Sequence, residues 1–193
     1  MADTPVYREE QQLSDQDLVT NTIKNKHAFA AIVHRYEAPL LRYISRLGCK
    51  DAAAAQDLLQ EIFVKIFVHL NDYDHSLQFS SWIYRIAHNE IVSFFRKERS
   101  RPSVLTRGED NYLFENIVDD AELIDQKNLR YTAPEIGRAV GQLEQRYRDI
   151  IVLKFFEEKS YEEISDILQI PQGTVATLIS RAKKKIKIYL EKS

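Results

Sequence analysis

The residues able to make or break bonds are few in this sequence, and their spacing does not suit the task. Five histidines and one cysteine are the first candidates. His27 and His34 can share a helix face. Neither they nor His69, His75 and His88 combine a tight chelating pair with a third ligand, so no metal site is expected. Asp72-x-Asp74-x-Ser76 imitates the start of a calcium loop. Leu77 stands where that loop needs glycine, and Ile83 where it needs the closing glutamate. Cys49 has no activating base in its sequence neighbourhood. Gly-rich phosphate loops and hydrolase elbows are absent from the sequence. The sequence supports no enzyme, cofactor or small-molecule substrate.

Groups that bind nucleic acid are concentrated instead, in two places. The first is Phe79-Ser80-Ser81-Trp82-Ile83-Tyr84-Arg85-Ile86-Ala87-His88-Asn89 and the residues after it. Trp82, Tyr84 and Arg85 can stack on unpaired bases. Asn89 can make paired hydrogen bonds to a base edge. Arg96, Lys97, Arg99 and Arg101 can track phosphates. Ile83 and Ile86 read as core, and for Trp82 core packing and base stacking stay equally open. The second place opens at Ser160-Tyr161-Glu162-Glu163, a capping box. Pro171 breaks the helix that follows. The next helix turns Val175, Leu178, Ile179, Ala182 and Ile186 inward. It turns Thr174, Thr177, Ser180, Arg181, Lys184 and Lys185 outward. That is the layout of a helix-turn-helix whose second helix enters a major groove. A plain helical hairpin with a basic, solvated face has the same spacing. Lys183, Lys184 and Lys185 add affinity for phosphate without sequence readout.

The elements that must position these groups are helical throughout. Leu18, Val19, Thr22 and Ile23 keep a 3.6-residue spacing behind Ser14, a plausible N-cap. Phe29, Ile32, Val33, Tyr36, Leu40, Leu41, Ile44 and Leu47 continue it to Gly48, which ends a helix. A third helix runs from about Asp51 to Leu70, with Leu58, Leu59, Ile62, Phe63, Ile66 and Phe67 on its apolar face. A loop over 71–76 leads to a fourth helix from Ser80 or Ser81 to Arg99. The strand-like alternation of apolar and polar residues is missing, so the class is all-α.

Charge divides the same chain. Residues 1–83 carry a net −3, 84–101 carry +3, 102–133 carry −4 and 134–193 carry +2. A polyanion could bind both basic stretches and would be repelled by the acidic one. Residues 102–133 start at Pro102 and show little periodicity beyond a short helical piece near 113–123. We therefore expect two small helical domains, 1–101 and 134–193, joined by a flexible acidic linker. With 44% apolar residues the 193-residue chain can fill both cores. The single cysteine fits a reducing cytoplasm. The N-terminal twelve residues do not read as a secretory signal, and apolar runs break too soon for membrane insertion.

Asp57-Leu58-Leu59-Gln60-Glu61-Ile62-Phe63-Val64-Lys65, Phe79-x-x-Trp82-Ile83-Tyr84-Arg85-Ile86-Ala87-x-Asn89, Ser160-Tyr161-Glu162-Glu163-Ile164 and Gly173-Thr174-Val175 occur in this order. Together they resemble bacterial RNA polymerase sigma factors of the compact extracytoplasmic-function (group 4) class. The resemblance spans roughly Ser14–Arg99 and Glu135–Leu190, and it implies a set of roles. Asp57, Leu58, Gln60, Glu61 and Lys65 would dock on the clamp of the largest subunit of core RNA polymerase. Phe79, Trp82, Tyr84, Arg85, Asn89, Arg96 and Lys97 would hold the melted promoter −10 element. Lys154, Gln172, Thr174, Thr177, Ser180, Arg181 and Lys184 would read the −35 element, with this domain on the flap of the second-largest subunit. The acidic linker would thread toward the active-site and RNA-exit path. An anti-sigma factor, in some members at the inner membrane, would sequester a cytoplasmic protein of this kind.

The sequence departs from that family pattern in places. Ala176 stands where a basic residue is usual, Leu178 where arginine is usual and Thr177 where serine is usual, while Arg181 is retained. His88 replaces a common arginine and Ser93 a common aspartate. The alternative function is a helix-turn-helix regulator that binds promoter DNA without polymerase. It leaves the Asp57–Lys65 segment and the Trp82 region without a role.

Overall fold

A computed structural model describes residues 13–100 and 131–191. All regular elements among these residues are helical, as the periodicity predicts. An N-terminal unit holds α1 (Asp15–Lys24), α2 (Phe29–Arg46), α3 (Ala52–His69) and α4 (Phe79–Ser100). A C-terminal unit holds α5 (Ala133–Gly141), α6 (Gln145–Phe155), α7 (Tyr161–Leu168) and α8 (Gln172–Glu191). Residues 102–130 of the acidic linker, including the helical piece near 113–123, lie outside the described residues.

Local chemistry sets the helix ends. Ser14 accepts from the amide of Asp17 at 3.1 Å while the Asp17 carboxylate takes the Ser14 amide at 3.2 Å, the reciprocal bonds of a capping box. Asp51 starts α3 by accepting from the Ala53 amide at 3.1 Å. Ser160 and Glu163 exchange bonds of 3.1 and 2.9 Å at the start of α7. Gly48 follows α2 at φ +116°, a conformation side chains other than glycine rarely adopt. Gln169 ends α7 in the left-handed region, and Pro171 accepts the Thr174 amide as α8 begins.

α2, α3 and α4 pack around Ile32, Leu40, Ile44, Ile62, Ile66, Ile83 and Ile91, all fully buried. Around α8 the C-terminal unit buries Val140, Ile150, Ile151, Val152, Leu153, Ile164, Val175 and Ala182. The most extensive contact between any two helices joins the units, with α4 lying against α7. The two units thus pack on each other.

Candidate nucleic-acid interface

Three surfaces follow from this scaffold. The first lies on α3. Its amphipathic period turns Leu58, Leu59, Ile62, Phe63 and Ile66 inward and leaves Asp57, Gln60, Glu61 and Lys65 exposed. Leu58, one of the predicted contact residues, is only 2% exposed and belongs to the core. Lys65 reaches across to α4 and pairs with Glu90 at 2.6 Å. Asp57 and Glu61 line a groove of about 430 Å³ between α3 and α4, with Asp51, Glu90 and Lys97. The sequence reading missed the continuation of this surface. Val64, Phe67 and Val68 are exposed, with Val64 and Val68 at 62% each. The signal was present, since Ile62 to Val68 has more apolar residues than one buried stripe needs.

The second surface lies on α4, and here the structure separates residues that the sequence grouped. Trp82 is buried in an aromatic cluster. Its ring stacks on Phe79 at 5.7 Å, with Tyr73 tilted against it at 5.5 Å, and Tyr36 meets Phe79 edge-on. Of the two roles left open for Trp82, the packed arrangement shows core. Phe79 shares that burial, and Tyr84 is only 4% exposed. Arg85 is half-buried, while Asn89, Arg96 and Lys97 are exposed. The 100° step per residue places Arg85, Asn89 and Arg96 on one face, so a guanidinium, an amide and a second guanidinium line up along the helix. Amide readout of a base edge between two phosphate contacts is what this row can do. The side chain of Arg99 and all of Arg101 lie outside the described residues.

Tyr84 points elsewhere. Its hydroxyl donates to Glu157 Oε2 at 2.6 Å, and Arg46 Nη1 donates to Glu157 Oε1 at 2.7 Å. Arg46 also donates to the Phe156 carbonyl at 3.1 Å, at the C-terminal end of α6 where carbonyls lack helical partners. Lys159 lies over the Tyr84 ring at 4.7 Å and donates to Ser80 Oγ at 3.1 Å. Burial pushes the Glu157 carboxyl and the Tyr84 hydroxyl up, each from its ordinary value. Nearby, His88 Nε2 lies 3.8 Å from Asp149 Oδ2, and the Tyr43 hydroxyl meets His88 Nδ1 at 3.1 Å. Burial raises Asp149 to about 7 and lowers His88 to about 4. Sequence reading found none of these interdomain pairs.

The third surface is the outer face of α8. Gln172, Thr174, Thr177, Ser180, Arg181 and Lys184 are exposed, and so is Ala176. Val175, Ile179, Ala182 and Ile186 are buried, as their spacing predicts. Thr177 Oγ1 donates to the Gly173 carbonyl at 2.8 Å, so its proton is occupied within the helix and its oxygen can accept. Lys154 is half-buried with its ammonium 5.6 Å from the Tyr161 ring centre. Lys185 turns back to Glu144 at 2.9 Å. Helix α7 braces α8 from behind, with Ser165 Oγ bonding the Ile170 carbonyl at 2.6 Å to fix the turn. Gly173 has open space around its missing side chain. Among the described residues no group of three or more His, Cys, Asp or Glu side chains could hold a metal ion.

Comparison with known proteins gives the same ordering of parts. Residues 32–101 match the family described as Sigma-70 region 2, and residues 134–186 match Sigma-70, region 4. The chain is 31% identical over 170 residues to the ECF RNA polymerase sigma factor SigW of Bacillus subtilis, covering 86% of this chain and 90% of that protein. It is 33% identical over 180 residues to the RNA polymerase sigma-H factor of Pseudomonas aeruginosa, covering 91% and 93%. In fold it is similar to CnrH, solved in complex with the cytosolic domain of CnrY, with a TM-score of 0.68 and 22% identity over 93% of this chain and 98% of that one. The sigma factor RpoE of Bartonella quintana, solved with the anti-sigma factor NepR, shares the fold at a TM-score of 0.54 and 20% identity over 79% and 91%.

Proposed function

Because the chain belongs to the ECF sigma factors of RNA polymerase, we propose that its three exposed surfaces divide the work of transcription initiation. As a sigma factor it acts with RNA polymerase at promoter DNA and is not itself an enzyme. The exposed face of α3 docks on the largest subunit of the core enzyme through Asp57, Gln60 and Glu61, beside the apolar Val64 and Val68. The C-terminal unit sits on the second-largest subunit. Gln172, Thr174, Thr177, Ser180, Arg181 and Lys184 of α8 read the −35 element in the major groove, and Lys154 approaches its backbone. The Arg85, Asn89 and Arg96 row, with Lys97, holds the melted −10 strand. Phe79 and Trp82 support that row from beneath by fixing the start of α4.

We further infer an anti-sigma factor as the regulator, in keeping with the complexes in which the fold neighbours were solved. No helix among the described residues is long and apolar enough to cross a membrane. We assign any inner-membrane tether to that partner and the sigma factor itself to the cytoplasm.

The observation that carries this reading is the joint exposure of an acidic–amide face on α3 and a threonine–serine–arginine face on α8, each backed by a buried apolar stripe. Its test is a pull-down with purified bacterial core polymerase. We expect the wild type to be retained and a Gln60→Ala, Glu61→Ala double variant to lose most binding, at least tenfold, while keeping its helical circular dichroism. Run-off transcription with the wild-type holoenzyme then identifies the promoter. Failure of the wild type to bind core, with specific binding to promoter duplex alone, would move the protein to the class of polymerase-independent regulators.

A further inference from the structure

We propose that Arg46 and Tyr84 form an anion site on the N-terminal unit, which Glu157 fills when the two units are packed and a backbone phosphate of the −10 strand fills when they part. This rests on the assignment of α4 to the −10 element.

The geometry is that of a two-point grip. One donor comes from the last turn of α2 and the other from the second turn of α4. They meet the two oxygens of a single carboxylate at 2.7 and 2.6 Å. A phosphodiester offers the same pattern, two charged oxygens on one atom, and guanidinium groups pair with both anions in this way. Tyr84 precedes Arg85 in α4 and stands about 100° round the helix from it, so the grip lies on the flank of the Arg85, Asn89 and Arg96 row at the same height along the axis. A strand held on that row can place a phosphate there.

Glu157 is held as a visiting ligand would be. Both hydrogen-bond donors to its carboxylate, Arg46 and Tyr84, belong to the other unit. Within its own unit it follows the C-terminal end of α6, where the helix dipole disfavours an anion. Its side chain is 4% exposed, so docking strips it of water. A buried ion pair of this kind fixes geometry strongly while adding little net stability, since desolvation offsets the attraction. Such a contact yields to a competing anion. The packed arrangement is therefore a closed state in which Glu157 occupies the grip, while the Arg85, Asn89 and Arg96 row beside it stays accessible; closure withholds one phosphate contact from a bound strand.

The test uses the full chain without polymerase. The probe is a fluorescein-labelled single-stranded oligonucleotide carrying the non-template −10 sequence of the promoter that run-off transcription identifies. Binding is read by anisotropy and opening by the radius of gyration in small-angle scattering. Glu157→Ala removes the occupant and leaves the grip. We expect it to open the chain and tighten binding about tenfold. Arg46→Ala also breaks the contact and should open the chain equally, yet gain no affinity because the site itself is damaged. Tyr84→Phe keeps the packed ring, loses the hydroxyl and should behave as a milder Arg46→Ala. Glu162→Ala removes an exposed charge of the same sign from α7 and should change neither readout.

Equal tightening in Glu157→Ala and Arg46→Ala would overturn the anion site. Opening of Glu157→Ala without tighter binding would overturn it too, as would a Glu157→Ala chain that stays closed. An Asn89→Ala change placed on the Glu157→Ala chain separates the two readings. If it leaves oligonucleotide binding unaltered, the −10 assignment of α4 is what fails.

Discussion

Single side chains set the pH response of the packed chain. His88 and Asp149 face each other across the unit boundary, with Tyr43 on one side and Gln145 and Arg148 near the other. His88 is held at about 4 against an ordinary 6.5, so its contribution to stability is present above pH 6.5 and is lost as pH falls toward 4. Asp149 is held near 7 against an ordinary 3.8, so its contribution is present below pH 3.8 and is lost as pH rises toward 7. Between pH 4 and 6.5 these two slopes oppose each other. Asp149→Asn removes one slope. Relative to the wild type, its unfolding free energy should then fall as pH drops from 6.5 to 4, by up to about 1.4 kcal/mol per pH unit. Denaturant unfolding of both proteins at three pH values checks this, and parallel profiles would refute the opposed pair. None of these partners was legible in the sequence. His88 and Asp149 are far apart along the chain, and Arg46 and Glu157 are separated by 111 positions. Apolar periodicity carries no information about which polar groups meet. Tyr84 misled for a related reason, because a tyrosine beside an arginine reads as surface until a carboxylate is seen on its hydroxyl.

At the scale of elements the sequence was far more informative, because caps and stripes are local. Ser14 with Asp17 and Ser160 with Glu163 announce helix starts, and the structure realises both as reciprocal bonds. The inward set of α8 was legible from spacing alone. Helix α3 is legible in extent but not in width, since the spacing places Phe67 inward and the residue is 38% exposed. A broad apolar band records burial against some partner and does not say whether that partner is in the same chain. The cap of α7 also has a measurable role. Glu163 closes the box, pairs with Lys159 at 3.4 Å and reaches Ser80 of α4, so the start of α7 is tied to the neighbouring unit. Ser160→Ala should cost about 1 kcal/mol of C-terminal unit stability in chemical denaturation. It should also weaken −35-dependent run-off transcription, because α7 braces the reading helix. A variant as stable as the wild type would show that the serine bond adds nothing there.

On the scale of the whole molecule, two units that the sequence divides share a boundary crossed by several buried polar pairs. The flexible acidic tether predicted between them leaves open whether they touch, because apolar periodicity within each unit says nothing about contacts between units. Across that boundary α4 lies against α7, and the pairs Arg46 with Glu157, Tyr84 with Glu157, Lys159 with Ser80 and His88 with Asp149 fix how the two faces meet. The units should therefore unfold together while these pairs are intact and lose that coupling when one is removed. The aromatic cluster under α4 makes this observable in an unplanned way. Trp82 is the chain's only indole, and it is locked against Phe79 and Tyr73 well inside one unit. Its emission is thus a built-in gauge of the N-terminal unit and blind to the C-terminal one, whereas ellipticity records both. Melting curves from the two signals should coincide in the wild type and separate in Glu157→Ala, so that the gap between two optical traces becomes a direct reading of how tightly the halves are wired together.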